Sequence, residues 1–432
     1  MISYKEALSL ATGLELNSNK QIHGFVIDSR FCKPGYIFFA IKGANVDGHD
    51  FAQDALQNGA ELIVCEREIP DTPKDKCVIV DKIEDIVSKT LKLIIESSRL
   101  EHRIAITGSV GKTTTKYWLS QVLSSKHPTF FSEGNLNTIY GHLLGIQGLT
   151  ESDRIGIFEC GTSSPGEISQ LSEIIKPNIA ILLNVYDAHI GNYDSFDSLL
   201  QEKLSIAQHI TQDGVVICDY ELLNHLHGRK IITVGFDPNA DITINANTIS
   251  VFGQDICLSN AYHRHQMYII GVICAVLHHI GDDVNEYINT LNILKPVSGR
   301  GDEIKAIVQG KNITVVNDSY NASPASMLSA IENSNCNVAV LGQMLALGDK
   351  EIEYHKTIAA HLGKFKQVYF VGDTELHELF MHNTNTQCYT EYSDELVNDV
   401  MSNLSDQDRI LVKGSHATNV WKIVDVLNGV GD

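Results

Sequence analysis

A glycine-rich segment in the first third of the chain combines residue types that bind phosphate. Residues 103–116 read RIAITGSVGKTTTK, and the alternation of the first four predicts a strand. Gly108 to Gly111 predict a tight loop, and Lys112 begins a predicted helix. Backbone N–H groups of such a loop and the positive end of the helix dipole converge on phosphate oxygens. Lys112 can reach the β- and γ-phosphates and the Thr113 hydroxyl can ligate Mg2+, so the segment predicts an ATP site.

This segment is shorter than the full P-loop motif, because Ile106 stands where the first glycine of that motif belongs. It fits the shorter pattern T-G-S-x-G-K-T. The alternative is a solvent-exposed turn that happens to hold two glycines and a lysine. The strand before the loop and the helix after it favour the phosphate site.

Two polar residues follow short apolar runs further along the chain. Glu159 follows the run 155–158, and His189 comes shortly after the run 179–183. Such runs are typical of buried parallel strands, and ligands of open α/β sheets gather beyond the carboxyl ends of these strands. A hydroxyl, a carboxylate and an imidazole at one sheet edge can hold Mg2+ between phosphates. The alternatives are a helix cap for Glu159 and a satisfied loop histidine for His189, but their shared position after strands favours metal binding.

Two loops near the N-terminus place an isolated cation or imidazole after a predicted strand. The first reads DSR at 28–30, and the second contains DGH at 47–49. Loops of this kind hold a phosphate or a sugar hydroxyl, and equally often they only turn the chain. From the residues alone both interpretations stay open.

Composition and charge narrow the class of protein. The chain has 432 residues, of which 43% are hydrophobic and 20% charged, and this predicts a globular protein of two or three domains. A formal net charge of -20 argues against nucleic-acid binding, which needs a basic face. The sequence has no apolar run long enough to span a bilayer, and its first residues lack the features of a signal peptide. We therefore expect a cytoplasmic protein without membrane insertion.

The cysteines also indicate a reducing compartment. All nine are scattered along the chain, and no two form a C-x-x-C pair. Several lie within apolar runs, as small buried hydrophobic residues do. The pattern predicts free thiols and argues against disulfides and zinc.

The hydrophobic pattern divides the chain into three predicted domains, with boundaries at 1–99, 100–299 and 300–432. A stretch at 241–258 predicts an antiparallel ribbon at the edge of the second domain, and 263–280 predicts a largely apolar helix. Residues 296–301 have the composition of a hinge. The predicted strands are 24–27, 35–41, 61–64, 77–80, 103–106, 155–158, 179–183, 313–316, 338–341, 368–371 and 410–412.

Motifs along nearly the whole chain resemble those of the Mur ligases, ATP-dependent amide-forming enzymes of peptidoglycan synthesis. The matching stretches are DSR, KGANVDGHDF, TGSVGKTTTK, GNLNTIYG, ECGTSSPGEI, NVYDAHIG, GRGD, NDSYNASPASM, LGQMLALG and LVKGS. The resemblance implies an α/β fold of three domains: a small N-terminal α/β domain, a central P-loop-type ATPase domain with a mostly parallel sheet, and a C-terminal Rossmann-like domain. It is strongest to members that add D-alanyl-D-alanine to UDP-N-acetylmuramoyl-tripeptide, which would be the two substrates here.

The resemblance also implies roles for individual residues. The nucleotide would contact Gly108, Ser109, Gly111, Lys112, Thr113, Thr114, Arg300, Asp318, Tyr320 and Asn321. Two Mg2+ ions would be held by Thr113, Glu159, His189 and Lys203, with Lys203 carbamylated. The UDP-sugar would meet Ser29, Arg30, Asp47, Gly48 and His49. Catalysis would depend above all on Lys112, His189 and Lys203, although from sequence alone Lys203 is an ordinary helix-surface lysine.

Several positions depart from the family pattern. Ile269 replaces an asparagine beside the adenine, while His265 keeps the neighbouring histidine. Lys203 is followed by Leu-Ser instead of Gly-Glu, Gln343 and Ala346 replace acidic residues, and His416 replaces an arginine. Two alternatives therefore stay open: a ligase of the superfamily that adds a single amino acid, and a catalytically silent nucleotide-binding homologue. A monomer is the expected state.

Overall fold

The computed structural model describes residues 1–16, 21–43, 45–187, 190–382 and 385–429. Within them the chain forms three α/β units, each built on its own sheet, as the sequence predicts. The N-terminal unit has four parallel strands in the order β1-β2-β3-β4, flanked by three helices. Its strands are β1 (Gly24–Val26), β2 (Tyr36–Phe39), β3 (Ala60–Cys65) and β4 (Cys77–Ile79), and its helices are α1 (Tyr4–Thr12), α2 (Ala52–Gln57) and α3 (Ile83–Ser97).

The central unit holds a nine-stranded sheet in the order β13-β12-β11-β10-β9-β8-β5-β7-β6. Its strands are β5 (His102–Thr107), β6 (Thr129–Phe131), β7 (Ile155–Glu159), β8 (Ile179–Leu182), β9 (Val215–Asp219), β10 (Lys230–Gly235), β11 (Ile242–Asn245), β12 (Thr248–Val251) and β13 (Gln254–Cys257). Its helices are α4 (Lys112–Leu123), α5 (Ile139–Gly145), α6 (Glu167–Ile175), α7 (Phe196–Leu204), α8 (Arg264–Ile280) and α9 (Ile288–Leu291). The strands from β6 to β11 are parallel, and β11, β12 and β13 form the predicted antiparallel ribbon at the sheet edge.

This strand order decides where the candidate site lies. The strand before the glycine loop, β5, is hydrogen-bonded to β7 on one side and β8 on the other. All three run in the same direction, so the residues that follow them meet at one edge of the sheet. Their interior residues are buried on both faces, which explains why the sequence shows continuous apolar runs there.

The third unit contains a six-stranded sheet in the order β14-β15-β19-β16-β17-β18, in which only β14 is antiparallel to its neighbour. Its strands are β14 (Asp302–Val308), β15 (Lys311–Asn317), β16 (Val338–Gly342), β17 (Gln367–Val371), β18 (Thr386–Tyr389) and β19 (Arg409–Lys413). Its helices are α10 (Pro324–Asn333), α11 (Glu351–Ala359), α12 (Thr374–Met381), α13 (Asp394–Asn403) and α14 (Lys422–Leu427). The sequence did not predict β14, because half of its residues are charged or exposed on a sheet edge.

The N-terminal and central units are joined through a shared hydrophobic core that includes Phe25, Leu62 and Phe158. The Gln147 side chain acts as a partner for the edge strand β1: it donates to the Phe25 carbonyl at 2.9 Å and accepts from the Phe25 N–H at 3.2 Å. The predicted domain boundaries at 99/100 and 299/300 lie in the connections between α3 and β5 and between α9 and β14. Among the described residues no helix is long and apolar enough to cross a membrane. All nine cysteines are described, and all are free, as predicted.

Candidate active site

The glycine loop lies between β5 and α4, as the sequence predicts, and two glycines are required by its shape. Gly108 has φ +153, and a Cβ there would lie 2.9 Å from Leu183 Cβ. Gly111 has φ +86 and immediately precedes α4. The loop thus leads directly into the N-terminus of a twelve-residue helix, where unpaired N–H groups and the helix dipole favour phosphate.

Residues after β8 brace the loop from the neighbouring strand. Asn184 Oδ1 accepts from the Val110 N–H at 3.0 Å, and its Nδ2 donates to the Val110 carbonyl at 3.1 Å. Ser109 Oγ donates to the Tyr186 carbonyl and accepts from the Tyr186 N–H, both at 2.9 Å. These contacts fix the loop against the end of β8. They also give Ser109, a predicted nucleotide contact, a structural role. They add Asn184, the first residue of NVYDAHIG, to which the sequence assigned no role.

The Lys112 ammonium is folded onto its own loop. Its Nζ donates to the carbonyls of Gly108 at 2.6 Å and Ser109 at 3.2 Å. Burial lowers the pKa of Lys112, while the Glu159 charge opposes that shift. Thr114 follows in the first turn of α4 and is partly exposed. A phosphate bound in the loop would replace two neutral carbonyls as the partners of a cation.

Glu159 is the centre of the site and is almost completely buried. Its Oε1 accepts from Thr113 Oγ1 at 3.1 Å and from Asn137 Nδ2 at 2.9 Å. Its Oε2 lies 3.2 Å from Lys116 Nζ and accepts no hydrogen bond from any described residue. The helix-cap alternative for Glu159 is wrong, because Glu202 accepts the Gly166 and Ile168 N–H groups at the start of α6.

These oxygens fit a magnesium ion. Mg2+ prefers hard oxygen ligands in a near-octahedral set and usually keeps phosphate and water oxygens among them. The Thr113 hydroxyl and the Glu159 carboxylate touch each other beside the phosphate loop. The buried Oε2 has the Lys116 ammonium 3.2 Å away but accepts no hydrogen bond of good geometry within the described ranges. The other predicted ligand, His189, lies outside the described residues, so its predicted metal role stays a prediction.

Lys203 lies near the end of α7 and its side chain is only 3% exposed. The helix-surface interpretation of this residue is therefore wrong. Its Nζ makes no hydrogen bond or ion pair within the part of the chain that the structure describes. Burial, together with the Lys112 charge, lowers the pKa of Lys203 to about 7. A large fraction of this amine is consequently neutral at physiological pH, which is unusual for lysine.

Residues of the third unit face the loop across the hinge. The Arg300 guanidinium lies 4.1 Å from the centre of the Tyr320 ring, and the Tyr320 hydroxyl contacts Asn135 of the central unit. Asp318 Oδ2 accepts from Lys413 Nζ at 2.7 Å, and the same ammonium donates to the Asn321 carbonyl at 3.1 Å. Lys413 is 2% exposed, and it fixes both Asp318 and the loop after it. The sequence signal for this residue is its position within LVKGS, a stretch that resembles a family motif, although the sequence alone assigned it no role.

The structure shows the surroundings of three positions that depart from the family pattern. Gln343 Nε2 donates to Glu351 Oε1 at 2.7 Å and to Asp373 Oδ2 at 2.9 Å, so an acidic side chain here would face two carboxylates. His416 stacks on Tyr320 with ring centres 6.1 Å apart. Ile269 is 4% exposed and packs beneath the glycine loop, where it has no polar atom to offer a base.

In the N-terminal unit, the first predicted substrate loop is short and partly exposed. Asp28 accepts from the Arg30 N–H at 3.0 Å, and its Oδ2 lies 2.6 Å from an Arg30 guanidinium nitrogen. The Arg30 side chain is 81% exposed, whereas Ser29 is buried and its carbonyl accepts from Asn58 Nδ2 at 3.0 Å. Arg30 is thus the member of this loop that faces solvent.

The second predicted substrate loop is closed by internal hydrogen bonds. Asp47 Oδ1 lies 2.7 Å from His49 Nδ1, and His49 Nε2 accepts from the Glu66 N–H at 3.0 Å, so the neutral ring carries its proton on Nδ1. Asp47 Oδ2 also accepts from Arg67 at 3.0 Å. A Cβ on Gly48 would lie 2.6 Å from the Ile41 carbonyl oxygen. His49 therefore shapes the loop, and both of its ring nitrogens are already used.

The central and third units touch along a seam beside the loop after β8. The Tyr354 hydroxyl donates to Asp187, and Lys350 Nζ lies 3.9 Å from the same carboxylate. A Cβ on Gly191 would lie 2.7 Å from the Gly348 nitrogen, so the two backbones are in contact. The central and third units are therefore in direct contact beside the candidate site.

Comparisons with known proteins agree with this arrangement. Three family models match: the Mur ligase family catalytic domain at residues 21–96, the Mur ligase middle domain at 106–275, and the Mur ligase glutamate ligase domain at 303–416. Two proteins named UDP-N-acetylmuramoyl-tripeptide–D-alanyl-D-alanine ligase are each 28% identical to this chain. The one from Rickettsia prowazekii aligns over 98% of this chain and 99% of its own, and the one from Bacillus subtilis over 93% and 92%.

Solved structures show the same fold. The MurF ligase of Thermotoga maritima in complex with ADP is 26% identical, with a TM-score of 0.82 over 94% of this chain and 97% of that one. A MurF structure from Acinetobacter baumannii has a TM-score of 0.86 over 98% of each chain at 23% identity. The family models together cover most of the chain. The chain therefore belongs to the Mur ligase family of ATP-dependent amide-forming ligases.

Proposed function

We propose that this protein adds D-alanyl-D-alanine to UDP-N-acetylmuramoyl-tripeptide in peptidoglycan synthesis, converting ATP to ADP and phosphate. The observation that carries the proposal is the buried Thr113–Glu159 contact beside Lys112 and the glycine loop. This arrangement supports phosphoryl transfer from a nucleoside triphosphate. Relatives that align over nearly the full chain carry the name of this ligase, which supports the choice of substrates.

The chemistry begins with activation of a carboxylate. The terminal carboxylate of the tripeptide attacks the γ-phosphorus of ATP, which forms an acyl phosphate and releases ADP. The neutral amine of D-alanyl-D-alanine then attacks the acyl carbon, and the tetrahedral intermediate expels phosphate to leave an amide. Lys112 leaves the carbonyls of Gly108 and Ser109 and neutralises the β- and γ-phosphates, while the loop N–H groups orient them.

Thr113 and Glu159 are the proposed ligands of one Mg2+ ion, with His189 and Lys203 supporting a second. Bound there, Mg2+ supplies positive charge that stabilises the transferring phosphoryl group. Asn137 holds Oε1 of Glu159, which orients the carboxylate toward the loop. Arg300 and Tyr320 complete the site from the hinge side, and Asp318 is the proposed partner of the ribose.

Lys203 is the proposed site of carbamylation. Its neutral amine adds to CO2, which gives a carbamate and releases one proton, so a buried amine without an ion pair becomes an anion able to support a metal. Burial of Lys203 and its lack of an ion pair among the described residues support this assignment. Labelled bicarbonate tests it: a carbamate 13C resonance is expected in the wild type and absent from Lys203→Met. A resonance of equal intensity in the variant contradicts the assignment.

The remaining assignments follow from the position of each unit. Residues 1–99 are proposed to hold the UDP-sugar through Arg30 and the loops shaped by Ser29, Asp47, Gly48 and His49. Residues 300–432 are proposed to close on ATP and to bind the dipeptide. We propose a cytoplasmic monomer, because the cysteines are free and one chain assembles the described site residues of all three units.

Phosphate release by the purified protein tests the function. The assay contains ATP, Mg2+ and UDP-N-acetylmuramoyl-tripeptide, with or without D-alanyl-D-alanine, and mass spectrometry identifies the product. We expect release that requires the dipeptide and a product heavier by one dipeptide unit, with none from Lys112→Met. Release with a single amino acid instead would indicate another ligase of the superfamily. ATP binding without turnover would indicate a silent homologue.

A further inference from the structure

A second lysine lies beside the proposed metal carboxylate, and the reaction described above does not use it. Lys116 is one helical turn after Lys112 on α4, and its side chain is fully buried. Its Nζ lies 3.2 Å from Glu159 Oε2, the carboxylate oxygen that accepts no hydrogen bond within the described ranges. The positive charge of Lys116 therefore lies next to Glu159 Oε2, the carboxylate oxygen that is best placed to bind a metal.

The protein alone fixes the Lys116 ammonium. Its Nζ donates to the Gly134 carbonyl at 2.6 Å and lies 5.2 Å from the centre of the Tyr117 ring. The Tyr117 hydroxyl in turn accepts from the Gly134 N–H at 2.8 Å. Both backbone groups of Gly134 are thus tied to α4, and the ammonium keeps its position whether or not a nucleotide is bound.

A cation held in this way has opposite effects on a bare metal and on a metal bound to nucleotide. A divalent cation that approaches Glu159 alone meets Lys116 and Lys112, and like charges repel strongly in a buried site of low dielectric. The triphosphate brings several negative charges to the same place, which reverses the sign of the local charge. Metal binding then becomes favourable.

We propose that Lys116 guards Glu159 against a free divalent cation, so that the metal enters only together with the phosphates of the nucleotide. Lys116 acts through Glu159 and touches no reacting atom. The proposal rests on the proposed metal role of Glu159, but it needs neither the tripeptide nor the dipeptide. Its consequence is that the empty enzyme stays metal-free at cellular Mg2+ concentrations and binds the metal–nucleotide complex as one unit.

Binding of Mn2+, followed by electron paramagnetic resonance, tests this without turnover. Without nucleotide, Lys116→Met and Lys116→Gln are expected to bind Mn2+ at least tenfold more tightly than the wild type, whereas Lys116→Arg and the surface control Lys126→Met are unchanged. Lys116→Gln keeps a hydrogen-bond donor for Gly134, so it covers the case in which Lys116→Met does not fold. With a non-hydrolysable ATP analogue, all variants are expected to bind Mn2+ within about threefold of one another.

Two results would overturn the guard role. One is equal Mn2+ binding by the wild type and both neutral variants without nucleotide. The other is tight Mn2+ binding by the wild type without nucleotide. Adding Glu159→Gln to Lys116→Gln must abolish the gained binding, and failure to do so places the metal elsewhere. If Mn2+ binds to none of the proteins even with the analogue, the proposed metal role of Glu159 is wrong. If the expected Mn2+ pattern is found but the protein shows no ligase turnover, the role of Lys116 stands and only the proposed reaction is wrong.

Discussion

The nucleotide loop and the N-terminal substrate loops both follow parallel strands and both contain glycine, yet their polar groups are in opposite states. At the nucleotide loop, Glu159 Oε2 faces the Lys116 ammonium at 3.2 Å but accepts no hydrogen bond of good geometry, and Lys203 makes no ion pair, within the described residues. In the N-terminal loops, His49 uses both ring nitrogens and Asp28 is paired with Arg30. The nucleotide region holds buried charged groups that lack part of their hydrogen bonds or ion pairs among the described residues. In the N-terminal loops, these polar groups are bonded to neighbouring protein groups.

This difference indicates how each region meets its ligand. A buried polar group without a partner destabilises the folded state, and such groups concentrate where a ligand completes them. The nucleotide site therefore depends on phosphate and metal for its final electrostatic balance. The N-terminal loops need no ligand to keep their shape, and they offer an exposed cation that can move onto a substrate.

The largest expected effect comes from removing the buried amine of Lys203. Lys203→Met is expected to lower turnover by ~100- to 1,000-fold, the usual loss when one preorganised electrostatic group is removed from an active site. The thermal midpoint is expected to stay the same or rise, because an apolar side chain replaces a buried amine without a partner. Steady-state phosphate release and calorimetry measure the two effects.

The matched control for this variant is Lys92→Met on α3. Lys92 is partly exposed and pairs with Glu173 at 3.2 Å on the surface. It should change neither turnover nor the thermal midpoint. Turnover of Lys203→Met within tenfold of the wild type would contradict the prediction, because the buried amine of Lys203 would then have no function in the reaction.

A second prediction concerns the ion pair inside the nucleotide site. Glu159→Gln leaves the Lys116 cation buried without its counter-charge, which is expected to cost about 3 to 5 kcal/mol of unfolding free energy. Adding Lys116→Met should recover most of this loss. Urea unfolding followed by Trp118 fluorescence in a Trp421→Phe background reports on α4, because the chain has only two tryptophans. Additive effects of the two substitutions would show that the pair is not coupled.

The contrast between the regions also explains how far the sequence could predict the site. The glycine loop, the helix at Lys112 and the approach of Glu159 to Thr113 were all predictable, because a strand–loop–helix pattern fixes backbone geometry locally. The burial of Lys203 was not predictable, since the buried side of α7 includes the adjacent charged residues Glu202 and Lys203, and only tertiary packing decides which face is covered. Resemblance to the family supplied its role.

Lys116, Asn137 and Lys413 were missed for a similar reason. Each lies within a quoted motif, but its partner is distant in sequence, as in the contact of Lys413 with Asp318. In the N-terminal loops, the sequence left turn chemistry and ligand binding open. The structure separates them by residue: His49 turns the chain, and Arg30 faces solvent.

A third prediction uses pH to probe the buried wall of the nucleotide site. Burial lowers the pKa of His142 to about 4, and its Nε2 donates to the Glu159 carbonyl at 3.0 Å. The unfolded chain takes up this proton near its ordinary pKa, so the folded state loses stability as pH falls from about 6.5 to about 4. Relative to His142→Gln, the wild type should lose about 3 kcal/mol across that window. The exposed His227→Gln should follow the wild type in the same pH series of urea titrations, and parallel curves for His142→Gln would contradict the prediction.

The smallest expected effect on stability belongs to the exposed cation of the N-terminal region. Arg30→Ala should leave the thermal midpoint unchanged, because a surface ion pair contributes little to folding. It should raise KM for UDP-N-acetylmuramoyl-tripeptide about tenfold with kcat nearly constant, since the lost contact is equal in the ground and transition states. His49→Gln should show the reverse pattern: a lower thermal midpoint, because a buried ring with two hydrogen bonds is replaced, and a KM that changes only as far as the loop loses its shape. The opposite result would be a lower thermal midpoint for Arg30→Ala and a raised KM for His49→Gln alone. In that case His49 contacts the substrate and Arg30 stabilises the loop, which contradicts the roles assigned here.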